Sequence, residues 1–315
     1  MKITTALSSE KTIMTVLPLL MTFGFSGDTG LVNSFSKTHG QNIARFHPDV
    51  CAFLLLGDNF YPDGVRSEKE MDMRWRLFRS QFLPMTYFPF YAVLGNHDYL
   101  GDPFIQLRWT LRSRKWNIPH FYYDWKIAGV HFIFLDTVLL APDITRRFLS
   151  PSEWEQYRAV RESQADIQKS WLGQTLRDSR ARWKIVCGHY PCISHGNHAV
   201  SRDLQSFLVP LMEEYGVHAY LSGHDHQFQH IPVPKTTPHL PSSSPFLREG
   251  RSKVIHYIIS GSFCDQKPLP PVSFSPYPAF RSSESGWTKM QVYPSHILVQ
   301  WINLFNEVAY SFIIK

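Results

Sequence analysis

Apolar residues in the first two thirds of the chain fall into short runs, and five of these runs end alike. Residues 19–28, 50–58, 88–96, 183–189 and 217–224 finish in glycine followed by a polar residue: Gly27-Asp28, Gly57-Asp58, Gly95-Asn96, Gly188-His189 and Gly223-His224. Short apolar runs bounded by turn signals predict buried strands, and a terminal glycine allows a sharp turn and close backbone approach. Between them, residues 67–82, 152–178 and 201–215 carry helical patterns, each opening on a serine able to cap a helix. Alternation of strand and helix predicts a mixed α/β sheet whose ligands collect at the carboxyl ends of neighbouring strands.

After His226 the pattern changes to strands with little helix, at residues 254–261, 287–293, 296–302 and 308–314. The expected fold class is therefore α/β, with two mixed β-sheets packed as a sandwich and flanked by helices. Two Pro/Ser-rich stretches, 231–250 and 267–278, read as surface loops because proline cannot donate to a sheet ladder. No repeat of solenoid or propeller period is present. Residues 19–315 are expected to form one catalytic domain, and residues 1–18 an extension or a poor signal-like segment. Ser8, Ser9, Glu10 and Lys11 interrupt the apolar stretch of that segment, and its apolar end runs straight into the first strand. An intracellular location is thus expected over a secretory or lysosomal one.

Composition adds exclusions. At 315 residues, with 43% hydrophobic and 18% charged residues, the chain can bury a sizeable core, which rules out disorder of the whole. A formal charge of +6 favours anionic ligands, but the basic residues are dispersed, with only short clusters such as Arg108, Arg112, Arg114 and Lys115. Zinc-finger spacing, RNA-binding aromatic motifs and long basic tracts are absent, so no nucleic-acid partner is expected. No segment reaches the roughly 20 apolar residues of a membrane-spanning helix. Four cysteines are too few to suggest a disulfide framework, and no Asn-x-Ser/Thr sequon occurs.

The strand endings carry the candidate chemistry. Asp28, Asp58, Asn96, His189, His224 and His226 supply hard oxygen and borderline nitrogen donors without a thiolate, a mixture suited to iron, manganese or zinc. His224 and His226, two apart in extended backbone, point the same way and can each serve one of two adjacent metals, with Asp58 able to bridge. Metals about 3.5–4 Å apart can clamp the attacking and leaving oxygens of an in-line displacement.

The ordered set Asp28-x-Gly30, Gly57-Asp58-x-x-Tyr61, Gly95-Asn96-His97-Asp98, Val186-x-x-His189 and Gly223-His224-x-His226 resembles the calcineurin-like metallophosphoesterases. Within them it is most similar to purple acid phosphatases, particularly the tartrate-resistant (type 5) kind, over roughly residues 27–265. The resemblance implies an acid phosphatase that hydrolyses phosphate monoesters by attack of a metal-bound hydroxide at a dinuclear centre. Fe(III) would be held by Asp28, Tyr61 and His226; a divalent ion (Fe, Zn or Mn) by Asn96, His189 and His224; Asp58 would bridge. It also implies that His97 contacts the substrate phosphate, oriented by Asp98, and that His195 stands beside the leaving group as proton donor, with His198 a weaker alternative in the same loop. Small phosphorylated molecules or phosphoproteins are the expected substrates. Thr29 departs from the tryptophan usual in the tartrate-resistant enzymes. His39, His47, His120, His131, His218 and His256 lack motif context and read as ordinary core or surface residues. Two alternatives remain open: a phosphodiesterase or nucleotide pyrophosphatase, whose relatives commonly carry Asp-x-His in the first motif, and a non-catalytic scaffold, which predicts missing ligands.

Overall fold

A computed structural model of the chain describes residues 18–82, 88–235 and 254–315. In chain order the strands are β1 (Met21–Ser26), β2 (Val50–Leu56), β3 (Phe90–Val93), β4 (Trp116–Asn117), β5 (Tyr123–Ile127), β6 (Val130–Phe134) and β7 (Trp183–Cys187), followed by β8 (Ala219–Ser222), β9 (Phe228–Pro234), β10 (Val254–Ser260), β11 (Phe280–Ser282), β12 (Gly286–Val292), β13 (Ile297–Asn303) and β14 (Val308–Ile314). The α-helices are α1 (Ser34–Phe46), α2 (Glu68–Ser80), α3 (Pro103–Trp109), α4 (Thr137–Leu140), α5 (Pro142–Thr145), α6 (Pro151–Asp178) and α7 (Arg202–Glu214).

The strands form two seven-stranded sheets, ordered β14-β13-β12-β1-β2-β3-β4 and β11-β9-β10-β8-β7-β6-β5. Strands β1 to β4 run parallel in the first, and β6, β7, β8 and β10 in the second, with antiparallel strands at the flanks. Period-two alternation assigns the two faces of each sheet. Ala52, Leu54 and Leu56 of β2 pack with Phe132, Phe134, Ile185 and Leu221 in the core between the sheets, whereas Phe53, Leu55, Val186 and Tyr220 face the helices. The architecture is the expected sandwich of two mixed sheets flanked by helices.

The helix starts follow their caps. Ser67 accepts from the Glu70 amide and Ser201 from the Leu204 amide, as the sequence predicts. The long helix starts earlier than expected: Ser150, not Ser152, is its cap, in a capping box with Glu153 and with Pro151 in the first turn. Of the expected proline-rich loops, 267–278 has no regular structure. The other begins too early, because residues 231–234 belong to β9, and residues 236–250 lie outside those described. Pro232 and Pro234 are tolerated there because β11 pairs only with Phe228–His230, which leaves the rest of β9 an edge. Residues 1–17 likewise lie outside the described set. No described helix is long and apolar enough to cross a membrane. All four cysteines are free thiols.

Candidate metal centre

The carboxyl ends of β1, β2 and β3 in one sheet meet those of β7 and β8 in the other along a single rim. Close approach of the sheets requires glycine at this rim. A Cβ on Gly27 would lie 2.8 Å from the Gly223 Cα and 3.0 Å from the Leu56 carbonyl, and Gly57, at φ +88°, abuts the His189 ring. Immediately beyond, Asp28, Asp58 and His224 adopt left-handed backbone, with φ of 56°, 54° and 69°. That conformation is uncommon for non-glycine residues and collects at functional sites, where the surroundings enforce it.

These turns aim the side chains at one another. The Tyr61 hydroxyl lies 2.9 Å from Asp28 Oδ1, 3.0 Å from Asp58 Oδ2 and 3.2 Å from His226 Nε2. His226 Nε2 is 3.3 Å from Asp28 Oδ1. On the other side, His189 Nε2 lies 3.0 Å from Asn96 Oδ1 and 3.5 Å from Asp58 Oδ1. Asp58 therefore stands between two groups of side chains, Asp28, Tyr61 and His226 on one side and Asn96 and His189 on the other. His224 joins through its backbone amide, which donates to Asp28 Oδ2 at 2.7 Å, and through its ring, 5.1 Å from that of His189. Donor atoms of Asp28, Asp58 and His189 all fall within 4.8 Å of one another.

The electrostatics suit a cation. Two buried carboxylates and a phenol converge with no Lys or Arg among the contacts just described. Burial, and then the Asp28 and Asp58 charges, push the Tyr61 hydroxyl well above its ordinary range. Burial opposes the charge on His226, but its bonds to Asp28 and to Asp265 (2.8 Å) outweigh that and raise it to about 9. Burial, and then the neighbouring His189, hold His224 well below the ordinary imidazole range, and its Nε2 is buried without a partner. A neutral imidazole with an unused nitrogen is in the state a metal ligand requires. Bound cations also favour ionised carboxylates and phenols, so the donor set fits metal ions.

The remaining sequence candidates divide. His97 lies at the rim, one third exposed, with its amide bonded to Asp58 Oδ1 at 2.9 Å and its Nδ1 on the Pro62 carbonyl. Asp98 does not orient it: that buried carboxylate accepts from the Gly95 amide, the Asn59 amide and Gln106, and so braces the turn that carries Asn96. His195 does not face the centre as expected. Its ring is buried against Phe274, 4.3 Å between centroids, with Nε2 at 2.8 Å from the Pro276 carbonyl. The histidine at the centre is His198. Its ring lies 4.3 Å from that of His224, and its Nδ1 is held at 3.0 Å by the buried carboxylate of Asp225. Phe148 closes the other side, edge-on to His224 at 5.7 Å. Sequence reasoning gave no place to Asp225 or Phe148. The first could have been suspected as the acid between two candidate ligand histidines, whereas the second carries no signal.

Comparison with known proteins agrees with this geometry. Residues 21–228 match the family profile described as calcineurin-like phosphoesterase. Purple acid phosphatase 4 of Arabidopsis thaliana is 35% identical over 218 residues, 67% of this chain and 62% of that protein. Tartrate-resistant acid phosphatase type 5 of Homo sapiens is 36% identical over 190 residues, 56% of each chain. The matched stretch thus spans between about half and two thirds of these curated relatives. Among solved structures, GAP50, described as the anchor in the inner membrane complex of Plasmodium, superposes with a TM-score of 0.71 at 22% identity, covering 95% of this chain and 89% of that one. Purple acid phosphatase PPD1 from yellow lupin (Lupinus luteus) gives 0.65 at 14% identity, covering 94% and 54%. With its profile match running from the first strand to the entry of β9, and the strand-end acids and histidines of that stretch gathered on one rim, the chain belongs to the calcineurin-like phosphoesterase family.

Proposed function

We propose that this chain is an acid phosphatase that hydrolyses phosphate monoesters, with residues 19–315 acting as one catalytic unit around two metal ions. Asp28, Tyr61 and His226 would hold Fe(III), Asn96, His189 and His224 a divalent ion, and Asp58 would be shared. The observation that carries the reading is the Tyr61 hydroxyl set within 3.2 Å of Asp28, Asp58 and His226 at once, beside a second donor group linked to it through Asp58. When bound, such a pair neutralises phosphate charge and supplies a nucleophile from water near neutral pH. The scaffold alternative predicts missing ligands, and all seven positions are filled.

The chain's own groups would do the rest. His97, one third exposed at the rim, would bind a phosphate oxygen. His198 presents a ring whose Nδ1–H donates to Asp225, which fixes its orientation; in the protonated ring the Nε2–H would then be left to deliver its proton to the departing alkoxide, leaving the neutral Nδ1–H imidazole. His198 takes the role expected of His195.

Metal analysis combined with an absorption spectrum tests the proposal. Iron and a second metal should copurify or reconstitute, and the oxidised protein should show a broad visible band that Tyr61→Phe loses. Monoesters should be turned over in preference to diesters. A colourless protein that is fully metallated and active would overturn the ferric assignment.

A further inference from the structure

The turns that carry Asn96 and His189 belong to different sheets, and a third segment joins them. Asp136 and Thr137, at the start of α4, follow β6. The Tyr99 hydroxyl, three residues beyond Asn96, donates to Asp136 Oδ2 at 2.6 Å. Thr137 Oγ1 accepts both the His189 amide, at 3.0 Å, and the Tyr190 amide, at 2.9 Å. Gln168 of α6 brackets Asp136 from behind: its Oε1 accepts from the Asp136 amide at 2.9 Å and its Nε2 donates to the Asp136 carbonyl at 3.1 Å. Asp136, Thr137 and Gln168 are wholly buried, so water does not compete for these bonds.

A helix cap alone would need only the bond from the Leu139 amide to Asp136 Oδ1, 3.1 Å long. The other two contacts reach outward, one to each ligand-bearing turn. We propose that Asp136 and Thr137 form a clamp that fixes the spacing of Asn96 and His189 and thereby sets the metal affinity of that half of the centre. The clamp rests on the ligand assignment above. It makes Thr137, Asp136 and Tyr99 positioning residues, acting through the ligands rather than on substrate, in the way outer hydrogen-bond partners tune metal sites.

The test is calorimetric titration of Zn(II) into the full chain freed of metal with chelator. Thr137→Val keeps the shape and removes the acceptor, and Thr137→Ser keeps the acceptor. Thr137→Val should weaken Zn(II) binding roughly 10–100-fold, the usual cost of losing an outer partner, while Thr137→Ser stays within about twofold of the wild type. Tyr99→Phe should weaken binding in the same direction from the Asn96 side. Wild-type affinity in Thr137→Val overturns the clamp; if that variant does not fold, wild-type affinity in Tyr99→Phe overturns it instead. A wild type that takes up no Zn(II) overturns the ligand assignment and the clamp with it, whereas tight wild-type binding with unchanged variants overturns the clamp alone.

Discussion

His195 and His198 stand three residues apart in one loop, yet their surroundings differ. His195 is buried between Phe274 and the Pro276 carbonyl, while His198 lies against His224 with Asp225 behind it. His198→Ala should lower kcat by roughly 10²–10⁴, more for alkyl than for aryl phosphates, with metal content unchanged. His195→Ala should leave kcat near that of the wild type and instead lose ~1–2 kcal/mol of stability, measurable by urea denaturation, through the lost buried hydrogen bond and ring packing. Equal kinetic defects in both variants would contradict this division. Five of the seven proposed ligand positions, Asp28, Asp58, Asn96, His189 and His224, were legible because each directly follows a glycine near a strand end, a local signal, and Tyr61 and His226 followed from their spacing to Asp58 and His224. Which loop histidine turns inward was not, because distant contacts decide it: Arg281 donates to the His195 carbonyl at 2.8 Å, and Asn197 to the Pro268 carbonyl at 3.0 Å.

Among the elements, α4 is unusual in opening on a fully buried carboxyl. Burial raises the Asp136 group to about 7, even though the Tyr99 hydroxyl and the Leu139 amide favour its ionised form. In the unfolded chain the same group has its ordinary value near 3.8. Between these values the folded state binds the proton more tightly, so this group's contribution to stability falls as pH rises from about 4 to about 7, by on the order of 4 kcal/mol. Asp136→Asn, which cannot titrate, should flatten the decline; urea midpoints at pH 5 and pH 8 for the two proteins would show whether it does. The strands and long helices that the sequence predicted are those with clean apolar runs or caps. Helix α1 escaped because its buried positions, Ser36, His39, Gly40, Ile43 and Ala44, have helical spacing but are largely small or polar. The β5–β6 hairpin turns through Ala128 and Gly129, both at positive φ (51° and 77°), and Ala128 is not a residue that advertises such a turn.

For the whole molecule, the sandwich sets the order in which the centre can come together. Strand β1, which delivers Asp28, lies in the middle of its sheet, paired with β2 on one edge and with β12 on the other, in a register that joins Met21 to Val292. Every proposed ligand precedes residue 227, and the strand that completes the sheet beside the first of them follows residue 285. Truncation after Ser285 should therefore yield a chain that retains all seven proposed ligands but binds Zn(II) at least tenfold more weakly than the full chain, with an aggregation-prone open edge at β1. Zn(II) uptake equal to that of the full chain would show that β1 holds its place without β12. The consequence reaches into synthesis: a nascent chain carries all the proposed metal-binding side chains well before it has a site, and a metal ion would meet only an unfinished cleft until the last strands have been made and folded back across the beginning of the chain.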